Sequence, residues 1–116
     1  TSRENVIPEA SFSSKDHRYG GKVDLHSKAG DGFILDFKTK NKDVVDKKTP
    51  YFENCMQLAA YRIGLNLPKA RCYNLYISTT KPGAVYLHEW TEPEIKKAEK
   101  MFLLLNEYFD LSNGLI

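Results

Sequence analysis

Asp24, Asp36 and Lys38 stand within the stretch Tyr19–Lys40, reading YGGKVDLHSKAGDGFILDFKTK. Two convergent carboxylates suit a hard divalent cation such as Mg²⁺, which takes one or two acids and fills its shell with water and phosphate oxygens. A lysine beside them can orient or deprotonate an attacking water.

These three residues need a scaffold that brings them together. Lys22-Val23-Asp24-Leu25-His26 alternates polar and apolar residues, and Gly32–Lys38 is a β-rich run bounded by glycine, which predicts a β-hairpin. Closure about Gly30 sets Asp24 opposite Asp36 on one face, with Cβ atoms roughly 5 Å apart. Alternation puts Ile34, Asp36 and Lys38 on that face; Phe33, Leu35 and Phe37 form the other, which has the apolar character of a core surface. Opposed like charges destabilise a sheet, and a shared proton, a cationic neighbour or a bound cation relieves them. The bland reading is a solvated hairpin in which Lys38 pairs with an acid, and a one-residue slip of register would dissolve the arrangement.

In order, Gly21-x-x-Asp24, Asp36-x-Lys38 and Gln57-x-x-x-Tyr61 resemble the PD-(D/E)XK nuclease superfamily, in particular its RecB-like and phage exonuclease-like branch. The match covers about the first sixty residues. Asp-x-Lys alone has little specificity, and the weight lies in three elements falling in order on strand, strand and helix. The resemblance implies a three-layer α/β/α restriction-endonuclease-like core with a mixed sheet of about five strands, in one domain spanning residues 1–116. It implies a Mg²⁺- or Mn²⁺-dependent deoxyribonuclease, exonuclease-like, in DNA repair, recombination or phage DNA processing. Asp24, Asp36 and the Phe37 backbone carbonyl would hold the ion and Lys38 the water, with Gln57 and Tyr61 near the metal or the nucleic acid. A third acid upstream often completes such a site: Glu9 is the best placed candidate and Glu4 the next, against a reading of Glu9 as an exposed edge-strand residue. The family's preceding helix is not visible in this sequence. The same fold without turnover would be a nucleic-acid-binding module, and an unrelated structural domain would bind neither metal nor DNA. Exonuclease and endonuclease, and DNA and RNA, stay open as substrates and modes.

With 116 residues, 41% hydrophobic and 28% charged, the chain has the composition of one soluble globular domain. No apolar run reaches the ~18 residues of a membrane span, and the first residues, TSRENVIPEA, lack a signal-peptide core. Cys55 and Cys72 read as reduced core thiols of a cytoplasmic or other reducing compartment, and two cysteines cannot complete the four-cysteine iron–sulfur cluster of some relatives. A net charge of +2 argues little for nucleic acid, but Lys40, Lys42, Lys47 and Lys48 follow the Asp36/Lys38 run and are candidates for DNA phosphate, diluted by Asp43 and Asp46.

The remaining pattern is an edge strand around Val6–Phe12, a polar turn Ser13–Arg18, the hairpin, a helix, a second hairpin and a second helix. Thr49 is expected to cap the first helix, with Pro50 at its first position and an end near Leu65. Glu53, Gln57 and Tyr61 share a stripe that faces the hairpin rather than the core. Ala70–Thr79 and Ala84–Trp90 extend the sheet; Tyr73, Tyr76, Tyr86 and Trp90 read as packing more readily than as base-stacking platforms. Thr91 and Glu94 have capping-box spacing, opening a helix to about Phe109 with Ile95, Ala98, Phe102, Leu105 and Phe109 buried and Lys96, Lys97 and Lys100 in solvent. His17, His26 and His88 show no metal spacing, and His26 reads as a surface residue near the loop.

Overall fold

The structure is a computed structural model and describes residues 6–14 and 19–114, with side chains from residue 24 onward. Strands β1 (Val6–Ser14), β2 (Tyr19–Ser27) and β3 (Phe33–Lys40) lead into helix α1 (Phe52–Gly64), then β4 (Arg71–Ser78), β5 (Val85–Trp90) and helix α2 (Glu92–Ser112). The strands form one mixed sheet in the order β1-β2-β3-β4-β5, antiparallel except where β3 runs beside β4. Parallel neighbours need a long crossover, and residues 41–70 with α1 supply it.

The β2–β3 pairs Leu25↔Leu35, His26↔Ile34 and Ser27↔Phe33 are those of closure about Gly30. Gly32 fixes the turn: its φ is +85°, its N–H donates to Ala29 O at 2.9 Å, and a Cβ there would sit 2.7 Å from Ser27 O. Only glycine fits both constraints.

Which face is covered differs from expectation. Ile34 and Asp36 are buried, whereas Phe33 and Leu35 are half-buried and Phe37 is 45% exposed. Cys55, Leu58 and Ala59 of α1 and Ile95 and Ala98 of α2 pack in one cluster with Ile34, Cys72 and Trp90, so both helices lie on the Asp36 side. Among the described residues the architecture is two layers rather than three. Side-chain hydrophobicity chose the wrong face because the helices cover small and polar groups, leaving Phe37, Val85 and Leu87 outside.

Two helix details also differ. Tyr51, not Thr49, is the N-cap of α1, and it makes no side-chain capping bond. Thr49 Oγ1 instead accepts from the Asp46 N–H at 2.9 Å, shaping the preceding loop. The Thr91–Glu94 capping box does open α2, but beyond Ala98 the expected buried face emerges, with Phe102 half-buried, Leu105 56% and Phe109 60% exposed. At about 1.5 Å per residue, the 13-residue α1 extends ~20 Å and the 21-residue α2 ~32 Å, so α2 outruns its partner.

Arg62, buried on α1, ties the helices together. Its guanidinium donates to Glu92 at 2.9 and 3.0 Å, pairs with Glu99 at 2.8 Å, and bonds the carbonyls of Ala70 and Pro68. Among the described residues no helix is long and apolar enough to cross a membrane.

Candidate active site

The β2–β3 ladder ends at Leu25↔Leu35, so the next position sets Asp24 opposite Asp36 where the strands part. Asp24 Oδ2 accepts the Phe37 N–H at 2.8 Å, taking an amide that a continued ladder would have used. In a strand, N–H and C=O of one residue point to the same side. The Phe37 carbonyl therefore faces the same gap as its amide.

Asp36 is 4% exposed. Lys38 Nζ lies 3.1 Å from Asp36 Oδ2, an ion pair that offsets part of its charge. Burial and the neighbouring Asp24 push the Asp36 carboxyl up to about 6, with Lys38 acting in the opposite direction. A buried carboxylate beside a second one is costly unless enough positive charge meets the pair.

Helix α1 delivers the rest of the cluster. Lys38 Nζ donates to Gln57 Oε1 at 2.6 Å, and Gln57 Nε2 donates to the Tyr61 hydroxyl at 2.7 Å. Asp36, Lys38, Gln57 and Tyr61 thus form one continuous polar chain from sheet to helix. Tyr61 is nevertheless part of the buried core, contrary to the expectation of a stripe clear of it. Burial, followed by the charge of Asp36, pushes its phenol up to about 12, so it remains protonated at neutral pH.

Glu9 lies on β1, where the flanking pairs Pro8↔Leu25 and Ala10↔Val23 leave it across from Asp24; its side chain falls outside the described ones, and Glu4 and His17 fall outside the described residues altogether. Lys40 is half-buried, its ammonium 5.0 Å from the centre of the Tyr51 ring and 5.9 Å from that of Tyr76. Lys42, Lys47 and Lys48 are exposed on the connection from β3 to α1, whose backbone is tied to β4 through Ser78 Oγ donating to Lys42 O at 2.6 Å.

His26 is not a surface residue. It is 1% exposed, because β2 is an interior strand whose Asp24 face lies under α1, and neither ring nitrogen has a hydrogen-bond partner among the described residues. Burial, then the charge of Lys28, lowers its pKa. Tyr76 and Trp90 are buried, Tyr73 and Tyr86 half-buried. The thiols of Cys55 and Cys72 are buried and pushed up to about 12 by burial.

Sequence reasoning missed Asn74. Fully buried in the middle of β4, it pairs in register with Asp36, donates from Nδ2 to Asp36 O at 3.3 Å, and accepts the Trp90 indole N–H on Oδ1 at 2.8 Å. The signal was an asparagine at an inward position of an apolar alternating run, CYNLYIS.

Among the described residues no three His, Cys, Asp or Glu side chains gather around a common point. The donors available are two carboxylates and one carbonyl, which fits a cation that keeps several waters better than one needing a full protein cage. The buried Asp36 carboxylate beside Asp24, with the single Lys38 ammonium set against the two acids, is the feature such a cation would satisfy.

A mixed sheet with both helices on one face and a polar cluster where two central strands part defines a small α/β fold. It resembles the crystal structure of a candidate exonuclease from Eubacterium rectale, with a TM-score of 0.69 at 14% identity over 95% of this chain and 46% of that one. It also resembles the crystal structure of SSO0001, with a TM-score of 0.52 at 18% identity over 86% of this chain and 50% of that one. The chain therefore spans about half the length of each, and at these identities the likeness is one of fold. No protein-family model and no curated protein matches the sequence.

Proposed function

We propose that this domain is a metal-dependent nuclease of the PD-(D/E)XK kind, hydrolysing phosphodiester bonds of DNA in an exonuclease-like manner. The observation that carries the reading is the buried Asp36 carboxylate, set beside Asp24 and paired with Lys38 at 3.1 Å. Asp24, Asp36 and the Phe37 carbonyl would hold Mg²⁺ or Mn²⁺. The ion supplies positive charge to the scissile phosphate and lowers the pKa of a water.

The chain's own groups do the positioning. Lys38 is held by Gln57 at 2.6 Å, which fixes its ammonium beside the carboxylates, where it orients the attacking water. Tyr61 fixes Gln57 in turn through the 2.7 Å bond. Glu9 is a candidate third acid by its strand register. Lys42, Lys47 and Lys48 would meet backbone phosphates, with Lys40 close behind on β3.

The test is incubation of purified protein with linear, circular and single-stranded DNA in Mg²⁺, Mn²⁺ or chelator. Metal-dependent shortening of linear DNA that spares circles supports the reading. DNA binding without cleavage in any metal would make this a binding module instead, and neither binding nor cleavage would leave only a structural domain.

A further inference from the structure

We infer that Asn74 is a positioning residue for the carboxylate pair, and that Trp90 both sets the orientation of Asn74 and reports on the site. This rests on the nuclease reading above and adds residues outside its three sequence motifs.

The peptide group between Asp36 and Phe37 is held at both ends. Its oxygen accepts from Asn74 Nδ2 at 3.3 Å, while its N–H donates to Asp24 Oδ2 at 2.8 Å. One clamp comes from β4 and the other from β2, and the clamped unit carries the Asp36 side chain. The direction of the Asn74 amide is dictated by chemistry: an indole N–H can only donate, so at 2.8 Å it must meet Oδ1, which turns Nδ2 toward Asp36.

A buried amide in the centre of a sheet is costly unless satisfied, and an aliphatic residue would fill the space between Cys72 and Tyr76 without that cost. Both described bonds of the Asn74 side chain belong to the path Trp90–Asn74–Asp36. Trp90 is itself fixed, edge-on to Phe52 at the start of α1 with centroids 6.2 Å apart and edge-on to His88 at 4.6 Å. The path thus runs from the β5 end of the core to the Asp36–Phe37 peptide. Trp90 is the chain's single tryptophan, so its emission has one source.

The experiment measures Mn²⁺ affinity by calorimetry and tryptophan emission during Mg²⁺ titration, for the wild type, Asp36→Ala, Asn74→Leu and Trp90→Phe. Asn74→Leu removes both bonds at similar volume and should weaken Mn²⁺ by about tenfold, as loss of an outer partner of a metal ligand commonly does. Trp90→Phe keeps a ring in the core but frees the amide, and should weaken Mn²⁺ less and in the same direction. The double variant should be no worse than Asn74→Leu alone. Mg²⁺ should change the wild-type emission and leave that of Asn74→Leu unmoved. Wild-type affinity in a folded Asn74→Leu overturns the inference while Asp36→Ala, if it loses the ion, keeps the nuclease reading. If Asn74→Leu does not fold, unchanged affinity in Trp90→Phe overturns the inference instead. A wild type that binds no Mn²⁺ sinks both.

Discussion

Asp36 lies in an environment that favours its neutral form, although holding a cation requires the charged one. Its carboxyl is raised from 3.8 to about 6, so between those pH values the folded chain keeps a proton that the unfolded chain releases. Stability of the metal-free protein therefore falls as pH rises through that window and stays reduced above it. Asp36→Asn should raise the melting temperature in chelator at pH 8 by a few degrees, on the order of 1 kcal/mol, and the advantage should vanish near pH 3.5. Differential scanning fluorimetry across pH checks this; an Asn variant that melts lower than the wild type at pH 8 would contradict it. Lys38 makes the complementary case. Its ammonium pairs with Asp36 at 3.1 Å and cannot itself ligate a cation, so Lys38→Ala should retain Mn²⁺ by calorimetry and lose cleavage by at least about a hundredfold. At this scale the opposition of Asp24 and Asp36 was readable in the sequence once closure about Gly30 was taken, and the register of β2 on β3 is the one that closure sets. The burial of Tyr61 and His26 was not, since it depends on which face α1 covers. The inward position of Asn74 was legible in CYNLYIS, but its bonds were not, because its partners are 38 and 16 positions away.

Elements set that register. Gly32 has no room for an added methyl, with positive φ and the Ser27 carbonyl in the way. Gly32→Ala should cost at least about 1–2 kcal/mol, and because it strains the turn that aligns the strands it should weaken Mn²⁺ binding too. Circular-dichroism melts with calorimetry on the same sample test both halves; a lower melting point with unchanged affinity would separate turn stability from site geometry. Strand and helix identities followed from periodicity, and the capping box of α2 was legible residue by residue. The start of α1 was misread because Thr49 had a nearer backbone amide to serve, that of Asp46 at 2.9 Å. The far half of α2 was misread because a helical stripe records what a helix could bury, while the length of the neighbouring helix decides what it does bury.

For the molecule as a whole, a net charge of +2 leaves DNA affinity to local lysines. Changing Lys42, Lys47 and Lys48 together to Ala should weaken binding to every sequence alike and flatten the dependence of log K on log salt by up to about 3, at ~0.9 per phosphate lost. Fluorescence anisotropy at several salt concentrations gives that slope, and an unchanged slope would remove the connection from the interface. Arg62 has a different bearing on the whole. It reaches from α1 to two acids on α2, and it lies five positions along the same helix from Gln57, which holds Lys38. Helix α2 contributes no side chain to the proposed centre, yet it anchors the helix that does. The two helices should consequently open to solvent as one cooperative unit, with matching hydrogen-exchange protection, and any event that pries α2 away would loosen the grip on Lys38 from across the molecule.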